Sequence, residues 1–182
     1  MRDAPGVLWR TVRAQVEADI GRSLTIRQLL FAYLTHPAAS ASFLLRLSDE
    51  LLHRRRVRLS RLVRAKLANK HGVHIEEGSQ IGAGLRMHRP VGIVIGAGVR
   101  IGDGVHIYQG VTLGLANPRS ERPRAFPSVG DGAVIFANAV VVGDVSIGAG
   151  AIVGACTFVS EDVPPHSTVT GRRMGESGSA RL

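Results

Sequence analysis

The stretch IGAGVRIGDGVHIYQGVTLG, residues 95–114, repeats itself every six residues. Ile95, Ile101, Ile107 and Leu113 mark one position of the repeat, and Val99, Val105 and Val111 mark a second position four residues later. A sustained period of this kind has to be read before any local propensity, because it signals a solenoid. Six residues suit one short strand and one turn. Three such units close a triangular coil, with the long aliphatic residue pointing inward and the small or branched residue filling a corner. Coils stack as parallel strands about 4.8 Å apart, and each buries the apolar face of its neighbour.

The same pattern extends in both directions. Upstream, the long aliphatic position is held by Ile75, Ile81 and Met87. Downstream it is held by Val129, Ile135, Val141, Ile147, Val153 and Val159. The second position is expected at Ser79, Leu85 and Val91, then at Ala133, Ala139, Val145, Ala151, Thr157 and Val163. Two interruptions break the count. Two extra residues fall around Ile93–Val94, and a basic, proline-rich insertion covers residues 115–128. Insertions in solenoids become loops on one face, often the functional one.

Before Gly72 the period is helical. Val7, Leu8, Val12, Val16 and Ile20 form one apolar stripe, and Leu29, Leu30, Tyr33 and Leu34 a second. Phe43, Leu44, Leu47, Leu51 and Leu52 form a third, after the break expected at Pro37. Leu59, Leu62, Val63 and Leu67 line the fourth. The division is therefore a helical cap at 1–72, a β-helix at 73–163 with its inserted loop at 115–128, and a tail at 164–182.

Composition agrees. Aromatic residues make up 4% of the chain, whereas Gly occurs 22 times, which suits tight coils. The formal charge is +9, and residues 54–70 carry eight cations without an acid. Such a run suits a solvated helix face or a polyanion. Without interleaved aromatics it does not point to nucleic acid. One cysteine, Cys156, excludes an internal disulfide and is expected to be a small packed residue. The opening residues lack the charged and apolar regions of a secretory leader, and no apolar run approaches about 18 residues. A cytoplasmic protein without membrane association is expected.

GIVIG at 92–96, YQGVTLG at 108–114, the loop after it, and DVPPHSTVTG at 162–171 together resemble the serine acetyltransferase family of hexapeptide-repeat enzymes. ADIGR at 18–22 and THPAASASFLLRLSDELL at 35–52 look like a shortened form of that family's cap. The resemblance implies a left-handed parallel β-helix, acetyl-CoA as donor, and a homotrimer or dimer of trimers with sites between neighbouring prisms. It also implies an aspartate–histidine pair before GIVIG, with the histidine as general base. A second histidine and an arginine end the loop, and an aspartate precedes a proline in the cap.

This chain departs at each of those positions. His88 stands at the family's aspartate and Arg89 at its base histidine. Phe126 replaces the loop-end histidine, Ala125 the arginine, and His36 the cap aspartate. His88 is then the expected general base, because a histidine titrates near working pH. Arg89, Gln109, His36 and Phe126 are expected around the acceptor. Gly114, Ala137, Gly143 and Ala155 are expected along the acetyl-CoA arm, with Arg172 and Arg173 near its phosphates. The expected reaction is O-acetyl transfer to a small hydroxyl compound. The acceptor is serine or, in keeping with the substitutions, a sugar or specialised metabolite. The alternative is a non-catalytic binding protein derived from the same family. His88 and His106 are eighteen residues apart, but no third ligand has suitable spacing, so no metal is expected.

Overall fold

The computed structural model describes residues 5–116 and 126–171. Four helices precede a three-faced parallel β-solenoid. The first face stacks β1 (His74–Ile75), β4 (Val94–Ile95), β7 (Thr112–Gly114), β10 (Val140–Val142) and β13 (Phe158–Val159). The second stacks β2 (Gln80–Ile81), β5 (Arg100–Ile101), β8 (Ser128–Val129) and β11 (Ser146–Ile147). The third stacks β3 (Arg86–His88), β6 (His106–Tyr108), β9 (Val134–Ile135), β12 (Ile152–Val153) and β14 (Thr168–Val169). β14 lies beyond the expected boundary at 163, and its pairing with β12 carries the solenoid into the segment read as a tail.

The aliphatic positions form columns through the interior. Ile95 lies over Ile75 and under Leu113, Val141 over Leu113, and Val159 over Val141. Ile107 and Ile135 stack in the same way on the third face, and both are fully buried. Each such side chain contributes about 1.5–3 kcal/mol by leaving water. One inward assignment moves. Val91 is exposed, and Ile93 is the buried residue that turns into the core. The two extra residues are absorbed by a turn in which Arg89 is left-handed (φ 51°) and the Val91 N–H donates to the Arg89 carbonyl. Cys156 is also exposed, at a left-handed turn position with φ 56°, because the third position after Val153 lies outside the corner.

The cap consists of α1 (Pro5–Ile20), α2 (Ile26–Thr35), α3 (Pro37–His53) and α4 (Val57–His71). Thr25 and Gln28 form a capping box at the start of α2. Pro37 ends α2 and opens α3, where its missing N–H is not needed. Gly72 closes α4 in the left-handed conformation (φ 63°), which a side chain would strain. In the stripes of α1 and α3, Val12, Val16, Leu44 and Leu51 are buried, and Leu8, Ile20, Phe43, Leu47 and Leu52 are half-buried. The stripe of α2 is not buried: Leu30 and Leu34 join Ile26 and Phe31 on an exposed apolar face.

Arg46 joins the cap to the prism. Its guanidinium meets both carboxylate oxygens of Asp19 at 2.8 and 2.9 Å and donates to the carbonyls of Ile81 (3.1 Å) and Gly82 (2.6 Å). Both side chains are almost wholly buried. Burial pushes the Asp19 carboxyl up from its ordinary value, against the pull of Arg46 and of the Leu85 and Gly84 N–H groups. Removing one partner of such a pair strands a charge in the interior. Arg46→Met is therefore expected to cost about 3–5 kcal/mol in urea unfolding. The Asp19→Asn/Arg46→Met double variant is expected to recover part of that loss. Ile135→Ala, in the prism, is expected to cost about 2–5 kcal/mol.

Candidate active site

The two-residue excess before Gly92 changes which residues meet on the third face. Met87 lies under Ile107, twenty residues on, so His88 pairs in register with Tyr108 and Arg86 with His106. His88 and His106 thereby become diagonal neighbours on the outer surface. Their rings stand 5.2 Å apart, with His88 Nε2 3.2 Å from His106 Nδ1. His88 also stacks on Tyr108 (4.5 Å, 16° between planes), and Tyr108 stacks on Phe136 at 4.9 Å. An aromatic ladder thus runs up three coils and holds the His88 ring in place.

Beside this ladder lies a cavity of about 570 Å³ lined by Ala38, Met87, His88, Arg89, Tyr108 and Gln109. The first turn of α3 supplies Ala38, so the cap forms one wall. Three residues expected around the reaction, His88, Arg89 and Gln109, share this cavity. Gln109 Oε1 is buried without a hydrogen-bond partner. An unpaired buried carbonyl oxygen is costly unless a donor satisfies it. Both histidines are held below the ordinary imidazole value. For His88 the causes are burial and then the charge of Arg86. For His106 they are burial, then His88, then Arg86. The cation that depresses His88 is therefore Arg86, two residues before it on β3.

The other expected acceptor residues lie elsewhere. His36 lines a separate groove of about 340 Å³ with Arg22, Arg27 and Phe31. Phe126 packs on the corner after β4, where a Cβ added at Gly96 or Gly98 would overlap its ring. The four small residues expected along the donor occupy two corners. Ala137 and Ala155 stack above Gln109, because the Asn138 N–H donates to the Gln109 carbonyl and the Cys156 N–H to the Ala137 carbonyl. Gly143 stacks on Gly114 at the far edge of the first face, through the Gly143 N–H and the Gly114 carbonyl at 3.0 Å. Arg172 and Arg173 lie outside the described residues. The contact of His106 with His88 is not legible from their eighteen-residue spacing, because it depends on coil register. The available signal was the two-residue excess, which shifts the coil repeat and brings the two rings together. Among the described residues, no group of three His, Cys, Asp or Glu side chains is arranged to hold a metal ion.

The family model for the bacterial transferase hexapeptide (six repeats) matches residues 126–161. A serine acetyltransferase of Staphylococcus xylosus is 40% identical over 125 residues, which span 69% of this chain and 57% of that protein. One from Bacillus pumilus is 30% identical over 165 residues, 91% of this chain and 75% of its own length. The chain thus spans little more than half of the first relative and three quarters of the second. Among solved structures, the soybean serine acetyltransferase apoenzyme superimposes with a TM-score of 0.74 at 30% identity, covering 91% of this chain and 67% of that one. A serine acetyltransferase in complex with CoA superimposes with a TM-score of 0.72 at 25% identity, covering 93% and 69%. On this likeness in sequence and architecture, the chain belongs to the serine acetyltransferase family.

Proposed function

We propose that this protein is an acetyl-CoA-dependent O-acetyltransferase whose acceptor is a hydroxyl compound other than serine, a sugar or specialised metabolite. The observation that carries this reading is the His88–His106 pair, whose His88 ring lines a cavity together with Arg89 and with Gln109, the Oε1 of which is buried and unpaired. The donor is supported by the related structure solved with CoA. The change of acceptor is supported by Arg89 at the family's base position, Phe126 at its loop-end histidine and His36 at its cap aspartate. With one cysteine in the chain, a reducing cytoplasm is the proposed compartment.

The contact between the rings admits either nitrogen as donor, and the proposed chemistry uses the arrangement in which His88 donates. When His88 Nε2–H donates to His106 Nδ1, the His88 Nδ1 lone pair is free to take the acceptor proton. The acceptor oxygen then attacks the thioester carbonyl, the tetrahedral oxyanion collapses, and the thiolate of coenzyme A leaves with a proton returned from His88. Arg89, always charged, stands beside this centre to stabilise the oxyanion or to orient an anionic acceptor, and Gln109 orients the hydroxyl. The small residues Ala137 and Ala155, in the column above Gln109, leave room for the pantetheine arm on one prism. Gly114 and Gly143, at the other edge of the first face, are proposed to flank the same arm from a neighbouring prism. That division of labour requires a trimer or a multiple of one. Arg172 and Arg173 are proposed to meet the phosphates.

Thiol release from acetyl-CoA with a panel of hydroxyl acceptors tests the reading, alongside calorimetry with coenzyme A. His88→Ala is expected to lower turnover by roughly 10²–10⁴-fold while leaving coenzyme A affinity nearly unchanged. Ala137→Phe is expected to weaken coenzyme A binding without loss of fold. Coenzyme A binding without turnover on any acceptor would favour the non-catalytic alternative. Light scattering is expected to report a multiple of three times the 19.4 kDa chain mass, and a stable monomer at micromolar concentration would rule out the shared groove.

The histidine pair also makes a pH prediction. Protonating His106 at Nδ1 turns it into a donor, which forces the His88 proton onto Nδ1 and blocks the base. Both rings must therefore be neutral, and burial keeps them so to lower pH than usual. The acidic limb of kcat/KM is expected below the ordinary histidine range, with a slope steeper than one proton. In His106→Gln the slope is expected to fall to one, because an amide oxygen still accepts the hydrogen bond but does not titrate in this range.

A further inference from the structure

We propose that the outer face of α2 is a docking surface for an anionic lipid bilayer. Four large apolar side chains of this helix, Ile26 (74%), Leu30 (60%), Phe31 (64%) and Leu34 (69%), stand in solvent. Ile26, Leu30 and Leu34 recur every four residues along one side of the helix, and Phe31, three residues before Leu34, widens that side. Scattered exposed apolar residues need no account, but a contiguous cluster of this kind marks an interaction site.

The charge around the cluster identifies the occupant. α2 carries no acidic residue. Its groove of about 340 Å³ is lined by Arg22, Arg27, Gln28 and His36, and it shares Phe31 with the apolar face. From α4, Lys70 stands over the Tyr33 ring at 4.5 Å and Lys66 at 5.9 Å, which brings two more cations to the flank of α2. Apolar side chains with a cationic border are the signature of a helix lying in the bilayer interface, where phosphate headgroups meet the cations and acyl chains receive the apolar residues. A second copy meets this face less well. A second α2 would bring further cations and no carboxylate to pair with Arg22 and Arg27. No helix among the described residues is long and apolar enough to cross a membrane, so the contact is peripheral. The sequence alone suggested no membrane contact, because the stripe of α2 reads as core until its exposure is seen.

The proposal is independent of acetyl transfer. Its test is flotation of the full chain with phosphatidylcholine vesicles prepared with and without phosphatidylglycerol. Binding is expected only to the anionic vesicles and is expected to weaken as salt is raised. Leu30→Glu/Leu34→Glu and Arg22→Gln/Arg27→Gln are each expected to reduce the bound fraction about tenfold or more. The circular dichroism and thermal unfolding of both are expected to match the unaltered chain, because all four side chains are exposed. Three outcomes would overturn the proposal: no flotation with anionic vesicles, flotation unaffected by both double variants, or a halved oligomer mass for Leu30→Glu/Leu34→Glu, which would give the face to a second copy.

Discussion

Each coil has to place its inward side chain over the one below, and the rest of the molecule follows from that constraint. Ile95, Leu113, Val141 and Val159 sit in one column only because the chain returns to the same angular position after every circuit. The parallel ladder then pairs backbone groups while the columns exclude water. The constraint applies to the interior and leaves the outer surface free. Extra residues are accepted wherever they can leave the prism and come back in phase. The long insertion after Leu113 does this, since Val129 still lies on Ile101 and Val141 on Leu113.

The small interruption has the larger chemical effect. Two additional residues between Met87 and Ile95 leave both inside the prism but displace the outer surface of one coil relative to the next. Without them His88 would stand directly under His106. With them it stands under Tyr108 and reaches His106 diagonally. A ring held between a stacking partner and a hydrogen-bonding partner has little rotational freedom. That is the condition under which a base contributes through position as well as basicity. The left-handed Arg89 belongs to the same detour, so the cation that follows His88 in the chain is part of the turn that absorbs the excess.

The cap has two unlike sides. One is bound to the prism through Arg46, whose guanidinium bridges Asp19 of α1 and the carbonyls of Ile81 and Gly82. The same contact brings the start of α3, with Ala38, to the wall of the His88 cavity. The other side, on α2, packs through Tyr33 and Ala32 and leaves its longest apolar side chains outside.

The sequence by itself determined the solenoid, its start near residue 73, the positions of both interruptions and most of the inward residues. A six-residue period is a local property, and it needs no knowledge of what packs where. It also identified His88, Arg89 and Gln109 as one group, because neighbouring coils bring residues about one circuit apart into contact. What it left to the tertiary structure depends on phase and exposure. The replacement of Val91 by Ile93 in the core and the pairing of His88 with His106 follow from how two extra residues are absorbed. The separation of His36 and Phe126 from the cavity follows from where the cap and the loop end come to rest. The bare face of α2 has the same origin. An apolar helical stripe states only that a surface is greasy, and which surfaces are covered is decided by how many neighbours the assembled cap provides.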